Sequence, residues 1–185
     1  MPELILLNGP PGIGKSTLAG MYVDQHPGVL NLDVDQVRCL IGGWKEDFQA
    51  AGDLVRPIAL SMAATHLSAG HTVIMPQYLD SEDEILLFRT AAEEAGAGFR
   101  EVVLMDSRDA SVERFYSRTD GEDPWHARVT AIVEEGGGSH LLESMYDDLI
   151  IGLDTRPSAA TVASHRGHIQ ETYELLMEAL ALTPP

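Results

Sequence analysis

Short apolar runs alternate with amphipathic stretches along this chain, and the alternation predicts strands and helices in turn. Glu3 to Asn8 (ELILLN) carries an unbroken apolar run from Leu4 to Leu7, the pattern of a strand buried on both faces. Lys15 to His26 reads as a helix stopped by Pro27 and Gly28, and Val29 to Leu32 as a second strand. A helical stretch from about Asp53 to Ala69 ends at Gly70. His71 to Met75 predicts a strand and Ser81 to Ala95 a helix ending at Gly96. Phe99 to Met105 predicts a strand and Asp109 to Arg118 a helix. Leu149 to Leu153 reads as the last strand, and Ser158 to Ala181 as mostly helix, with Gly167 a point of interruption.

Strands that alternate with helices imply a parallel sheet with right-handed crossovers. Such sheets bind ligands beyond the carboxyl ends of their strands. The expected fold class is α/β, with a five-stranded parallel sheet between two layers of helices, in one domain over residues 1–185. No internal repeat is visible. The segments Thr119 to Pro124 (TDGEDP) and Gly136 to Gly138 bracket a short predicted helix, Trp125 to Glu135. Residues 119–139 therefore read as a mobile helical lid inserted into the domain.

Charge narrows the partners. Twelve Lys and Arg stand against 29 Asp and Glu, a formal charge of −17. A partner with a long phosphate backbone calls for a basic face, and none is legible, which argues against long nucleic acid. The acidity itself reads as solubility. No apolar run approaches the roughly 18 residues of a membrane span, and Leu4 to Leu7 is too short for the core of a signal peptide. Cys39 is the only cysteine, so no intrachain disulfide forms. These features predict a soluble chain in a reducing cytoplasm, without membrane or targeting signal. They leave the oligomeric state open.

One motif carries chemistry on its own. Gly9-Pro10-Pro11-Gly12-Ile13-Gly14-Lys15-Ser16 fits G-x-x-x-x-G-K-[ST], between an apolar strand and a helix. Glycines let backbone N–H groups turn toward phosphate oxygens with no side chain between them. The helix that begins near Lys15 presents its positive end to the same anion. Gly9, Gly12, Ile13, Gly14, Lys15, Ser16 and Thr17 are thus the expected nucleotide-binding residues. The Lys15 ammonium reaches the β- and γ-phosphates, Ser16 is the expected Mg2+ ligand, and Thr17 adds a hydrogen bond to the α-phosphate. This predicts a three-layer P-loop NTPase fold with Mg-ATP as ligand. An N-K-x-D element is absent, which argues against a Ras-like GTPase, and the chain is too small for a complete AAA or ABC engine.

With this loop, a proline near a strand end (Val73 to Pro76), the pair Arg114 and Arg118, and Trp125 beyond them, the chain resembles small P-loop kinases of the adenylate-kinase-like group. The resemblance runs to chloramphenicol phosphotransferases, zeta-toxin kinases and especially tunicamycin-resistance proteins of the TmrB type. It implies an aspartate past the second strand that faces the acceptor hydroxyl. It also implies arginines that close over the phosphates, and an adenine held by the loop after the last strand.

Asp33 and Asp35 stand just past the second strand. A carboxylate there can orient a hydroxyl and take its proton as the new bond forms. Asp35 is the expected base, with Asp33 supporting as a magnesium ligand through water; capping the helix at Gln36 is the plainer use of either. Arg38, one turn on, suits an anionic or hydroxyl-rich acceptor, or a surface ion pair. Trp44, Phe48, Gln77 and Tyr78 are candidate walls of the acceptor pocket. The strand ending at Met75 is followed by Pro76-Gln77 where many P-loop proteins place a metal-binding aspartate. Arg114 and Arg118, four apart, share one helical face and are expected to gain partners when phosphates arrive. Arg128 is a weaker lid candidate. Arg156, in Asp154 to Ser158, is expected either to stack on adenine or to cap its turn. His165 and His168 read as exposed.

These residues predict an ATP-dependent phosphotransferase acting on a hydroxyl of a small molecule, antibiotic or nucleoside-like. A nucleotide-dependent protein that sequesters such a ligand is the reading from a different class. A nucleotide or polynucleotide kinase is the third, opposed by the charge.

Overall fold

The computed structural model describes residues 1–118 and 124–182. Five parallel strands form one sheet: β1 (Glu3–Asn8), β2 (Leu30–Asn31), β3 (Val73–Pro76), β4 (Gly98–Met105) and β5 (Ala160–Ala163), in the order β2-β3-β1-β4-β5. The first strand in sequence is central, so its carboxyl end opens between two neighbours, where parallel sheets place ligands. The helices among the described residues are α1 (Lys15–Gln25), α2 (Val34–Arg38), α3 (Phe48–Ser68), α4 (Glu82–Glu94), α5 (Arg108–Tyr116), α6 (Pro124–Glu135), α7 (Ser139–Asp154) and α8 (Ile169–Leu182).

Alternation along β1 builds a core on each side of the sheet. Leu4 and Leu6 pack with Val55, Ala59, Ile85 and Phe88 of α3 and α4. Ile5 and Leu7 pack with Leu18 and Ala19 of α1 and with Tyr173 and Leu176 of α8. All four β1 side chains are fully buried, each contributing about 1.5–3 kcal/mol relative to exposure. Polar residues set helix starts. Asp33, Asp47, Ser81 and Ser107 each accept from backbone N–H groups of the first turn of α2, α3, α4 and α5.

Three boundaries differ from expectation. Leu149–Leu153 is the last part of α7, not a strand. Leu142 and Leu149 are its buried positions, two turns apart, so the apolar run continues a helical face begun at Ser139. The fifth strand is instead Ala160–Ala163, and the helix expected from Ser158 starts at Ile169, after a turn in which Gly167 has φ 82°. Helix α3 begins at Phe48 rather than near Asp53, because Asp47 caps it. Of the expected lid at 119–139, residues 119–123 lie outside the described residues; the remainder is α6 and the turn into α7.

A buried polar cluster lies beneath the end of β1. Asn8 Oδ1 accepts from the amides of Gly9 (2.8 Å) and Leu79 (3.0 Å), and its Nδ2 donates to Leu79 O (2.7 Å) and Glu101 Oε1 (2.9 Å). Glu101 pairs in turn with Arg156 Nε at 3.3 Å, both side chains being under 5% exposed (3% and 4%). Removing one partner of such a pair leaves an uncompensated buried charge. Arg156→Met is therefore expected to lower the unfolding free energy in urea by about 3–5 kcal/mol. Arg166→Met, which breaks the exposed Arg166–Glu113 pair, should change it by less than about 1 kcal/mol.

Candidate nucleotide and acceptor site

The loop from Gly9 to Gly14 leaves β1 and enters α1, as its glycines predict. Gly12 has φ 88°, and a Cβ there would stand 3.1 Å from the backbone of Phe115 and 3.2 Å from Arg118 Nη2. Gly9 is tighter still, with Leu104 O only 2.5 Å from a built Cβ. Lys15 folds its ammonium onto the loop, donating to Gly9 O (2.6 Å) and Pro10 O (2.9 Å). Burial pushes its pKa down to about 7; the neighbouring Asp35 opposes that shift and Arg118 adds to it. Ser16 and Thr17 are exposed in the first turn of α1, directly after Lys15.

Asp33 caps α2, as its plainer use predicts, and also reaches Ser16. Its Oδ1 caps α2 through the amides of Asp35 and Gln36, while Oδ2 accepts from Ser16 Oγ at 3.0 Å. Ser16 and Asp33 thus bring together two oxygen donors suited to a hard cation. No group of three or more His, Cys, Asp or Glu side chains surrounds one point among the described residues. A Mg2+ ion at this pair would draw its other ligands from phosphate and water, which is its usual habit. The residues present fit the ion.

Asp35 sits deeper. Burial, and then the charge of Asp33, raise its pKa to about 6, against Arg38, Lys15 and a hydrogen bond from Gln77. Gln77 directly follows β3, and its Oε1 is buried without a hydrogen-bond partner among the described residues. Arg38 stacks on Phe48, 4.2 Å from the guanidinium carbon to the ring centre, with Trp125 at 5.7 Å. Trp125 of α6 also meets Trp44 (5.7 Å) and Phe48 (5.4 Å). The residues after α2 and the helix beyond residue 123 are therefore joined by an aromatic cluster beside Asp35. Tyr78 does not join it. Its hydroxyl donates to Met145 O (2.9 Å) and its ring packs against the cluster of Val103, Met105 and Leu149, so it anchors α7 instead of lining the acceptor pocket.

The two lid arginines take different tasks. Arg118 lies over Phe115 with Nη2 beside Gly12, aimed at the phosphate loop. Arg114 is already engaged, donating to Ile13 O (2.8 Å) and Ser164 O (2.5 Å) and facing Asp106 at 3.8 Å. The expectation that it waits for phosphates is corrected: it fastens α5 to the loop and to the segment after β5. Arg128 pairs with Glu135 at 3.6 Å. Arg156 precedes β5 and is locked under the sheet by Glu101, so it is not placed to stack on adenine; the residues after the last strand are 164–168. His165 and His168 are exposed, beside Asp106 and Glu171. Sequence reasoning missed Asn8, Glu101 and Ser164. Two polar residues inside apolar strands, Asn8 and Glu101, were the available signal.

A parallel sheet with the phosphate loop after its central strand and helices on both faces defines a P-loop kinase fold. The chain matches the AAA_33 family, described as an AAA domain, over residues 4–134, and it belongs to that family. No curated protein sequence matches it. Solved structures of the same fold include a gluconokinase from Sinorhizobium meliloti 1021, with 19% identity and TM-score 0.64 over 98% of this chain and 94% of that one. The Deinococcus radiodurans tunicamycin resistance protein aligns over all of both chains at 17% identity and TM-score 0.62. A candidate kinase from Chloroflexus aurantiacus j-10-fl aligns at 18% identity and TM-score 0.69, over 99% and 98%.

With its pKa near 7, Lys15 is largely neutral at pH 8 in the free protein. Phosphate charges raise it, so binding a non-hydrolysable ATP analogue at pH 8 should take up protons. Calorimetry in buffers of different ionisation enthalpy measures this. The uptake should approach one proton per site and disappear in Lys15→Met.

Proposed function

We propose that this chain is an ATP-dependent phosphotransferase that moves the γ-phosphate to a hydroxyl of a small molecule. The observation that carries the reading is the hydrogen bond from Ser16 Oγ to Asp33 Oδ2 (3.0 Å), which brings the aspartates past β2 against the phosphate loop, where the charges of Lys15 and Asp35 act on each other. Lys15 belongs to the phosphate loop and Asp35 to the acceptor side, so they bracket the line of transfer. The acceptor hydroxyl donates its hydrogen bond to Asp35. As its oxygen bonds to the γ-phosphorus, the bond to the β–γ bridging oxygen breaks and the proton passes to Asp35. The products are ADP and a phosphorylated acceptor, and Asp35 then releases the proton to solvent. Backbone amides of residues 12–17, Lys15 and Arg118 balance the charge that develops on the phosphoryl oxygens. Mg2+, held by Ser16 and through water by Asp33, would neutralise the β- and γ-phosphates. Residues 124–139, docked through Trp125, are the covering part of the proposed lid and would limit loss of phosphate to water.

One observation favours a second reading. Gln77 directly follows β3, where many P-loop proteins place a metal-binding aspartate, so β3 supplies no carboxylate and the one bonded to Ser16 is Asp33. A protein that binds nucleotide and sequesters a ligand, as a resistance protein for an antibiotic or nucleoside-like compound, would need no more. A structural neighbour is a tunicamycin resistance protein, which keeps that ligand class in view. Transfer of labelled γ-phosphate to a compound panel separates the two. Tight ligand binding without labelled product would replace the kinase reading with the sequestering one.

Asp35→Asn keeps the shape but cannot take a proton, so it should retain ATP affinity and lose roughly 10²–10⁴ in transfer rate. Lys15→Ala should lose about 10²–10³ at saturating ATP. Wild-type turnover of either variant would contradict the assigned roles. Asp35→Asn should also be more stable than the parent at pH 7.5, with a smaller gain at pH 4.5 and none well below the ordinary carboxyl value of 3.8. The raised pKa means that the folded state resists the charge, a penalty full above about pH 6 that declines as the pH falls and is gone only below the ordinary value of 3.8.

A further inference from the structure

In a chain with 29 acidic side chains, an arginine rarely lacks a carboxylate. Among the described residues, seven arginines lie within 3.8 Å of one. Arg38 has no such ion pair and no hydrogen bond among the described residues, although it stands one turn from Asp35. Its guanidinium is held by its faces instead. Phe48 lies 4.2 Å away and Trp125 5.7 Å, and Gly52 leaves Nη2 3.4 Å from where a Cβ would stand. Its Nε is buried and unpartnered. A guanidinium stacks through its faces and hydrogen-bonds through its edges, so this one is fixed in place with its binding edges uncommitted. Arg89 of α4 also rests on an aromatic ring, that of Phe99 in β4.

We infer that the acceptor carries an anionic group, a carboxylate or a phosphate, beside the hydroxyl that is phosphorylated, and that Arg38 binds that group. This deepens the phosphotransferase reading and rests on it. Asp33 and Asp35, in a chain of charge −17, repel an anionic acceptor unless a cation is placed for it. Arg38 is that cation, and its planar fork matches either oxyanion. Hydroxyls of a neutral acceptor could accept from its edges one at a time, whereas an oxyanion takes two parallel donors and answers the charge as well.

The two tryptophans of the chain, Trp44 and Trp125, both sit in this cluster, so intrinsic fluorescence of the full-length protein reports on it directly. With a saturating non-hydrolysable ATP analogue present, two pairs matched in carbon skeleton and differing in charge are titrated: D-gluconate against D-glucitol, and glycerol 3-phosphate against glycerol. γ-Phosphate transfer from ATP is measured on the same four compounds. At least one anion should bind and accept phosphate, with its neutral partner tenfold or more weaker, and the pair that responds distinguishes carboxylate from phosphate. Arg38→Gln should weaken the anion by about tenfold to a hundredfold, the loss expected for a charge-assisted hydrogen bond, with ATP affinity unchanged. Arg38→Lys should recover part of the loss. The inference is overturned if a neutral compound matches its anion. It is also overturned if neither anion binds to protein that binds the ATP analogue, or if Arg38→Gln weakens ATP instead. Transfer to a neutral acceptor, indifferent to Arg38→Gln, would sink this inference and leave the kinase reading intact. Anion binding through Arg38 without any transfer would do the reverse.

Discussion

The position of the phosphate loop depends on how the buried end of β1 is satisfied. A strand that stops inside the protein leaves amides and carbonyls to be paired, and Asn8 pairs them with one fully buried side chain. Its carboxamide uses donors and acceptors at once, tying the first residue of the loop to the segment that follows β3. That segment carries Gln77, which steadies Asp35, so one amide sets the spacing between the phosphate side and the acceptor side. Glu101 and Arg156 continue the cluster to the end of α7, and through α7 to the helix that bears Trp125. On the opposite side of the loop, Arg114 holds Ile13 and Ser164. The loop is fastened from beneath and from above, which suits a site that must be rigid before charge develops in it.

Within that frame the ionisable groups are held in opposition to their ordinary states. Burial favours a neutral Lys15 and a neutral Asp35, and each charge partly rescues the other. Nucleotide phosphates would settle Lys15 as a cation and leave Asp35 free to exchange its proton. The fold tolerates this because the opposed pair is surrounded by elements with large apolar cores, Leu4 and Leu6 on one face and Ile5 and Leu7 on the other. Such strain at a site is what a functional pocket, as distinct from a purely structural one, would carry.

What could be read from the chain was what is local. ELILLN, the glycine loop and the cap-bounded helices announce themselves within a dozen residues, and the kinase-like arrangement followed from them. The five-residue run LIIGL was ambiguous, because a short apolar segment does not distinguish a strand from the tail of a helix. Its helical partners lie upstream at Leu142, while the true fifth strand, ATVA, is short and half alanine. The candidate site divides in the same way. Lys15, Ser16, Asp33 and Asp35 are close to a motif and were legible. Arg114 and Arg118 were legible as a pair, but the contact of Arg114 with Ile13, 101 residues away, was not. The contact of Asn8 with Glu101 spans 93 residues and joins two ordinary-looking polar positions. Tyr78 failed as a pocket residue for the same reason, since its partner Met145 is 67 residues off.

The sheet is long in its middle and short at its margins. β4 has eight residues and β1 six, while the two outer strands, β2 and β5, have two and four. An outer strand of two residues offers a neighbouring chain almost no ladder of free amides and carbonyls on which to build. With a net charge of −17 opposing close approach, the architecture resists the edge-to-edge growth that turns sheets into aggregates. A crowded compartment could therefore hold this protein at high concentration without its sheets joining.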